Sequence, residues 1–298
     1  MVSRYEKNEQ LRKKVKKNPK KKKILMKFLL FILTIIVITI IWGMFVEVNI
    51  LKINEYSIVT NKIPDSFNGV KIVHFSDIHY GTGYNDKRLN KLVDRINSYN
   101  PDIVVFTGDL IDNNYNASKE DIELITLCLS KIESKLGKYA IVGNHDFYND
   151  SYENILYNSE FMLLKNNYDT IYNETNNPIL IYGIDNITYG DPRVDILDRD
   201  SVSNIDYKIV LMHEPDYLDE FVNDYNIDLV LAGHSHNGQV RFPKIKPFFL
   251  PEGAKKYYDS NYKVNDTLLY VSGGVGSSIY DFRLFSYPSI NVYRLRTN

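Results

Sequence analysis

Apolar positions fall along this chain in runs of two lengths. One run, residues 24–46 (ILMKFLLFILTIIVITIIWGMFV), is almost unbroken. The others are short: 70–75 (VKIVHF), 103–106 (IVVF), 139–142 (YAIV), 179–182 (ILIY), 208–212 (KIVLM), 229–232 (LVLA) and 268–272 (LLYVS). Runs this short and this apolar predict strands buried on both faces. Between several of them apolar residues return every three or four positions, which predicts helices. Asn85 can cap one, whose Leu89, Leu92, Val93 and Ile96 share a face. Ser118 and Asp121 form a capping box ahead of Ile122, Ile125, Leu129 and Ile132. Glu214-Pro215 predicts a third helix start, with Leu218, Phe221, Val222 and Tyr225 on its apolar side. Strand and helix in turn predict an α/β fold with a buried, mostly parallel sheet.

The long run calls for a different solvent. At about 1.5 Å per residue it spans the roughly 30 Å hydrocarbon core of a bilayer. A buried core helix is the competing explanation, but the run is long and has no polar face. Residues 1–23 carry Arg4, Lys7, Arg12, Lys13, Lys14, Lys16, Lys17 and Lys20 to Lys23 against Glu6 and Glu9. Beside a membrane span such a cluster stays in the cytoplasm. The run ends IIWGMFVEV, without the small residues of a signal-peptidase site, so an uncleaved anchor is expected. The expected organisation is a basic cytoplasmic tail at 1–23, a transmembrane anchor at 24–46 and a connector at 47–69. An extracytoplasmic domain follows at 70–298.

Charge then narrows the partners. The chain has 36 basic and 37 acidic residues, of which 12 and 2 precede Glu47, leaving 24 against 35 after it. A domain this acidic lacks the basic surface that general nucleic-acid binding needs. The single cysteine, Cys128, forms no internal disulfide and reads as a small buried residue in a helix.

Nearly every short run ends in the same way. VHFSDIH places Asp77 and His79 after the first strand, and VVFTGD places Asp109. AIVGNHD places Asn144, His145 and Asp146; VLMHEPD places His213; and LAGHSHNG places His234 and His236. In open α/β sheets the carboxyl ends of strands line one crevice, so these residues should converge. Five of the six histidines lie at such tips. The sixth, His74, sits inside a strand and reads as a hydrogen-bonded core residue. Clustered carboxylates, imidazoles and an amide oxygen suit borderline divalent metals such as manganese, iron or zinc. The groups are too many for one tetrahedral ion and enough for two sharing a carboxylate. A metal pair roughly 3.5–4 Å apart activates water and clamps both oxygens of an in-line phosphoryl displacement. The glycines at 108, 143 and 233 would let the backbone turn sharply and let a substrate approach.

The ordered set D-x-H (Asp77, His79), G-D (Gly108, Asp109), G-N-H-D (Gly143 to Asp146), His213 and G-H-x-H (Gly233 to His236) resembles the calcineurin-like metallophosphoesterases. The resemblance covers about 70–292. It implies an α/β/β/α sandwich of two mixed sheets with two divalent metals at one edge. It gives one metal to Asp77, His79, Asp109 and His236. The other goes to Asp109, Asn144, His213 and His234, with Asp109 bridging. A hydroxide between the metals would attack phosphorus. His145 would stabilise charge or protonate the leaving oxygen, with Asp146 orienting it. HEPD and GHSHNGQVRFP look like a membrane-anchored bacterial branch, some of which resembles enzymes cleaving the pyrophosphate of UDP-2,3-diacylglucosamine. That branch reads G-H-[ST]-H-G-G-Q, and Asn237 replaces a glycine. SGGVGSS (272–278) could offer N–H groups to phosphate, and Arg241 and Arg283 could contact it. Loop tyrosines (Tyr80, Tyr84, Tyr148, Tyr152, Tyr189, Tyr280) hint at an aromatic cleft. The expected activity is a membrane-anchored phosphoesterase, with a lipid-linked nucleotide of the UDP-2,3-diacylglucosamine type as the first substrate to consider. A nucleotide or cell-wall phosphodiesterase and a non-catalytic metal-binding scaffold are the alternatives. A scaffold would be expected to have lost ligands, and none is missing.

Overall fold

The computed structural model describes residues 4–8 and 19–298. Arg12, Lys13, Lys14, Lys16 and Lys17 of the expected basic tail lie outside the described residues. Helix α1 runs Pro19–Ile41 and continues through a π-helical turn, Trp42–Val46, and a 3₁₀ turn, Glu47–Asn49. It is the one described helix long and apolar enough to cross a membrane, and its apolar side chains are exposed.

Two six-stranded sheets follow. The first comprises β1 (Lys52–Val59), β2 (Lys71–Phe75), β3 (Ile103–Phe106), β4 (Gly137–Ala140), β5 (Met162–Leu163) and β12 (Ser289–Arg296), in the order β1-β12-β2-β3-β4-β5. The second comprises β6 (Asn167–Ile171), β7 (Ile179–Gly183), β8 (Lys208–Met212), β9 (Leu229–Ala232), β10 (Asn261–Val264) and β11 (Thr267–Val271), in the order β10-β11-β9-β8-β7-β6. The central strands β2, β3 and β4 run parallel, as do β7, β8, β9 and β11. β12, β6 and β10 pair antiparallel, so both sheets are mixed.

Alternation along each strand builds the layers. Ile72, Ile103 and Val105 face inward with Ile181, Ile209, Leu211 and Leu231 of the opposite sheet. Their neighbours Val73, Val104 and Phe106 face outward against helices α2 (Asp86–Asn97), α3 (Lys119–Ser130) and α4 (Tyr152–Asn158). Asn85 and Ser118 cap α2 and α3 as expected, an arrangement that stabilises each helix start by roughly 1 kcal/mol. Cys128 is buried. His74 is buried too, with Nε2 2.9 Å from Thr107 Oγ1.

Two elements depart from expectation. Residues 47–69, expected as a connector, carry β1, which pairs parallel with β12 over eight residues. The third helix is a 3₁₀ stretch, Pro215–Glu220. Its start is committed elsewhere: the Asp216 carboxylate accepts the backbone N–H groups of Lys255, Lys256 and Tyr257. The outer layer of the second sheet is therefore short turns plus α5 (Asp200–Ser203), packed through Ile196, Leu218 and Phe221.

Candidate metal centre

The carboxyl ends of β2, β3, β4, β8 and β9 open onto one edge of the sandwich, and the loops beyond them are laced together. Asp77 N donates to Gly108 O, and Ile78 N and His79 N donate to Asp109 O, at 2.8–3.1 Å. Gly108 has φ +91°, and a Cβ there would overlap the backbone of Gly143. The glycines therefore let neighbouring loops close on one another, rather than admitting a substrate as expected. Asp77, His79, Asp109, His234 and His236 all have φ between 45° and 68°. Left-handed backbone at five non-glycine residues is costly and concentrates where a site imposes it.

Asp77, His79, Asp109, His213, His234 and His236 come together as donor clusters able to hold a metal: Asp77, His79 and His236 form one, and Asp109, His213 and His234 another. Three of the rings have one nitrogen committed. His79 Nδ1 lies 3.1 Å from the Asp112 carboxylate, His213 Nδ1 2.6 Å from Thr107 O, and His234 Nε2 2.7 Å from Glu252 O. Each ring so held offers its other nitrogen to the cluster. Asp109 Oδ2 stands between two of these, 3.5 Å from His79 Nε2 and 3.3 Å from His213 Nε2. Asn144 Oδ1 is 3.1 Å from the same His213 nitrogen. His236 Nε2 is 3.1 Å from His79 Nε2 and 3.5 Å from Asp77 Oδ1. Ring lone pairs aimed at carboxylate and amide oxygens need positive charge between them. Separations of this size suit donors around a cation with bonds of about 2.1 Å, so the donor set fits divalent metals.

Electrostatics agree in sign. Burial opposes charge on His213, yet Asp109 and Asp77 hold its pKa well above the usual imidazole value. Burial likewise opposes Asp109, and His213, His145 and His79 keep its carboxyl well below the carboxylate range. The cup draws positive charge into itself.

Asp146 has a different task from the one expected. Its oxygens accept the N–H groups of Asp109, Leu110 and Gly143 at 2.6–2.9 Å, so it braces the turns and does not orient His145. Burial and the nearby Asp109 push it up to about 7. His145 Nδ1 instead accepts from Asn113 N at 3.0 Å, with the Asp112 carboxylate 3.7 Å away. Its neutral form then carries the proton on Nε2. Asp112 was missed by the sequence reading, although GDLID sets it three residues after Asp109.

Other expected contacts are spent elsewhere. Arg283 is fully buried; it donates to the carbonyls of Gly274, Gly276 and Ser286, and its Nη2 lies 3.3 Å from His236 Nδ1, so it supports the cluster from behind. Arg241 pairs with Asp259. In the 272–278 turn, Val275 N and Gly276 N donate to Ser76 O and Asp77 O, so these groups support the site from behind. A cavity of about 390 Å³ holds Asp109, His145 and His236 on one wall and Phe248, Phe249 and Ile279 on another. A second, of about 460 Å³, shares His145 and is lined largely by polar groups, among them Asn113, Asn116 and Asp150. The aromatic wall is thus phenylalanine. Tyr80, Tyr84 and Tyr152 are buried, and only Tyr148 of the six tyrosines lines either cavity.

The family model for calcineurin-like phosphoesterases matches residues 70–238. Bacillus subtilis YkuE, an uncharacterized metallophosphoesterase, is 32% identical over 262 residues, covering 86% of this chain and 89% of YkuE. Chlamydia trachomatis LpxG, a UDP-2,3-diacylglucosamine pyrophosphatase, is 26% identical, covering 80% of this chain and 88% of LpxG. A transmembrane protein with metallophosphoesterase domain from Danio rerio is 29% identical over 76% of this chain, which spans about half of that protein, 53%. The chain belongs to the calcineurin-like phosphoesterase family and is a metal-dependent phosphoesterase.

Proposed function

We propose that this chain is a membrane-anchored dimetal hydrolase of phosphoric ester or pyrophosphate bonds carried on an amphiphile. The observation that carries the metal assignment is Asp109 Oδ2 between His79 Nε2 and His213 Nε2. Asp77, His79, Asp109 and His236 would hold one ion, and Asp109, Asn144, His213 and His234 the other. When bound, the pair supplies an activated water and neutralises phosphoryl charge. His145, with Nε2–H as its free donor, hydrogen-bonds the departing oxygen and stabilises the negative charge that builds on it, and Asp112 keeps His145 and His79 in register.

The two cavities support the substrate class. They meet at His145, one with a phenylalanine wall and the other rich in amides and carboxylates. A molecule with an apolar tail and a polar head fits across the junction, phosphorus at the metals. The LpxG likeness points the same way. The basic flank of α1 supports an extracytoplasmic domain. That placement favours a lipid phosphate or diphosphate over a nucleotide-activated lipid, since nucleoside triphosphates are cytoplasmic.

The test uses the full chain in nanodiscs, stripped with chelator and reloaded with manganese, iron or zinc. Substrates are bis-nitrophenyl phosphate, a lipid diphosphate and UDP-2,3-diacylglucosamine. Two ions per chain and preference for an amphiphile are expected. Two ions with equal turnover of the soluble diester bis-nitrophenyl phosphate would overturn the substrate class, and fewer than two ions the metal assignment. Protease added to intact spheroplasts should digest the domain; protection until lysis would reverse the topology.

A further inference from the structure

The end of α1 and one wall of the catalytic cavity form a continuous surface. Arg283 N donates to Gly43 O at 3.3 Å, and Ser286 N donates to Glu47 Oε1 at 2.8 Å. Glu47 is buried, and its other oxygen accepts Trp42 Nε1. Gly43 has no side chain because the Phe282 ring and Arg283 O occupy that space. The last turns of the membrane helix are therefore fixed to residues 282–286, and its tilt sets the tilt of the domain.

From that junction apolar side chains continue outward. Phe285 lies 6.0 Å from Phe242 by ring centroids, and Phe242 lies 6.3 Å from Phe248. A backbone bridge from Val240 to Leu284 holds the two loops together. Phe248 is 80% exposed, Phe249 70%, Ile279 60%, Ile245 54% and Phe285 48%. A soluble domain rarely exposes so many large apolar groups in one place. The same loop reads VRFPKIKPFFL, interleaving Arg241, Lys244 and Lys246 with the apolar residues in a domain otherwise rich in acid. Arg241 is paired with Asp259, while Lys246 donates to a backbone carbonyl. Aromatic and aliphatic side chains mixed with lysine are what an interfacial segment presents to anionic lipid. Trp42 and Phe45, exposed at the end of α1, mark the same level.

We infer that the 240–249 and 279–285 loops form a platform resting in the headgroup region of the bilayer that holds α1, so the catalytic cavity opens at the membrane surface. The occupant is the lipid surface itself. The inference requires α1 in the bilayer and does not depend on which ester is cleaved.

The test places the full chain in nanodiscs of phosphatidylglycerol and phosphatidylcholine containing a shallow doxyl lipid. A fluorophore is attached at Ile245→Cys or Phe249→Cys. Tyr172→Cys is the control, because Tyr172 follows β6, which runs antiparallel to β7 and so ends away from the site. Trp42, the single tryptophan, reports the anchor in the same sample. Quenching of Trp42 and of the labels at 245 and 249, but not 172, is expected. In Phe242→Ser/Ile245→Ser/Phe285→Ser, quenching at 249 should fall to the control level while turnover of a soluble nitrophenyl ester stays unchanged. Trp42 quenched with 245 and 249 silent would overturn the platform and leave the anchor standing. Energy transfer between labels of two copies, without lipid quenching, would assign the surface to a second copy and overturn it equally.

Discussion

The metal cup and the apolar wall share one cavity and are built by opposite means. In the cup, Asp77, His79, Asp109 and His213 are buried, and three rings have their spare nitrogen bonded. Its backbone turns through left-handed residues that neighbouring loops hold in place. In the wall, Phe248, Phe249 and Ile279 are exposed. Exposed apolar side chains are held by little and can shift, whereas displaced ligands cost rate. The difference separates two tasks: bond chemistry belongs to the rigid half, and, for the amphiphilic substrate proposed above, choice of tail would fall to the adaptable half.

The strongest way to break this contrast is Asp109→Asn. A neutral amide bridges two cations poorly, so both occupancies should fall and turnover should drop by about 10³-fold or more. Elemental analysis finding two tightly held metals in that variant would show that Asp109 is not shared. Next comes His145→Asn. Metals and fold should persist while kcat falls by roughly 10²–10⁴, the usual scale for a positioned acid or base. The loss should be larger for alkoxide leaving groups than for nitrophenolate, whose delocalised charge needs little stabilisation by the Nε2–H donor. Equal losses would leave His145 stabilising the phosphoryl oxygens only, and a lost metal would make it a ligand.

Asp112→Asn probes the support of the cup rather than its ligands. The amide can still meet His79 Nδ1 but no longer favours the N–H tautomer by charge. A fall of about 10–100-fold in metal affinity or rate is expected, the range for partners behind a ligand. Titrating manganese into stripped protein separates the two. An effect as large as that of Asp109→Asn would mean Asp112 is itself a ligand, as its grouping with His79 and His145 allows.

The cup was legible in the sequence because its residues end the most apolar runs, where a buried strand has no other reason to carry acid and imidazole. Their mutual support was not. That Asp146 braces backbone N–H groups and Asp112 stands beside His145 depends on how two turns face one another. Strands β1 and β12 escaped because KINEYSIV and SINVYRLR mix polar residues into their alternation. β1 lies at the edge of its sheet, where one side needs no burial. The wall escaped for another reason. Tyrosine is abundant throughout the chain and marks no cleft, whereas the wall is built by two adjacent phenylalanines among lysines.

Asn237 lies on the boundary, directly after His236 of the cup and three residues before Val240 of the wall. Its backbone is left-handed, φ 53° and ψ 26°, a conformation glycine adopts freely and asparagine tolerates better than other side-chain-bearing residues. That explains how asparagine stands where related motifs carry glycine. Its Oδ1 is buried without a hydrogen-bond partner among the described residues, which offsets part of what the side chain contributes by packing near Gly273. Asn237→Gly removes both the strain and the orphaned oxygen, and it adds freedom to the unfolded chain. These terms oppose one another, so the shift in unfolding free energy should stay within about 1 kcal/mol, with metal content unchanged. Asn237→Ala keeps a Cβ and loses the local tolerance, and should cost roughly 1–2 kcal/mol. Thermal unfolding of the two variants side by side decides the matter. If alanine proves as harmless as glycine, the left-handed turn is not fixed by the folded loop, and the rigid half ends at His236 rather than beyond it.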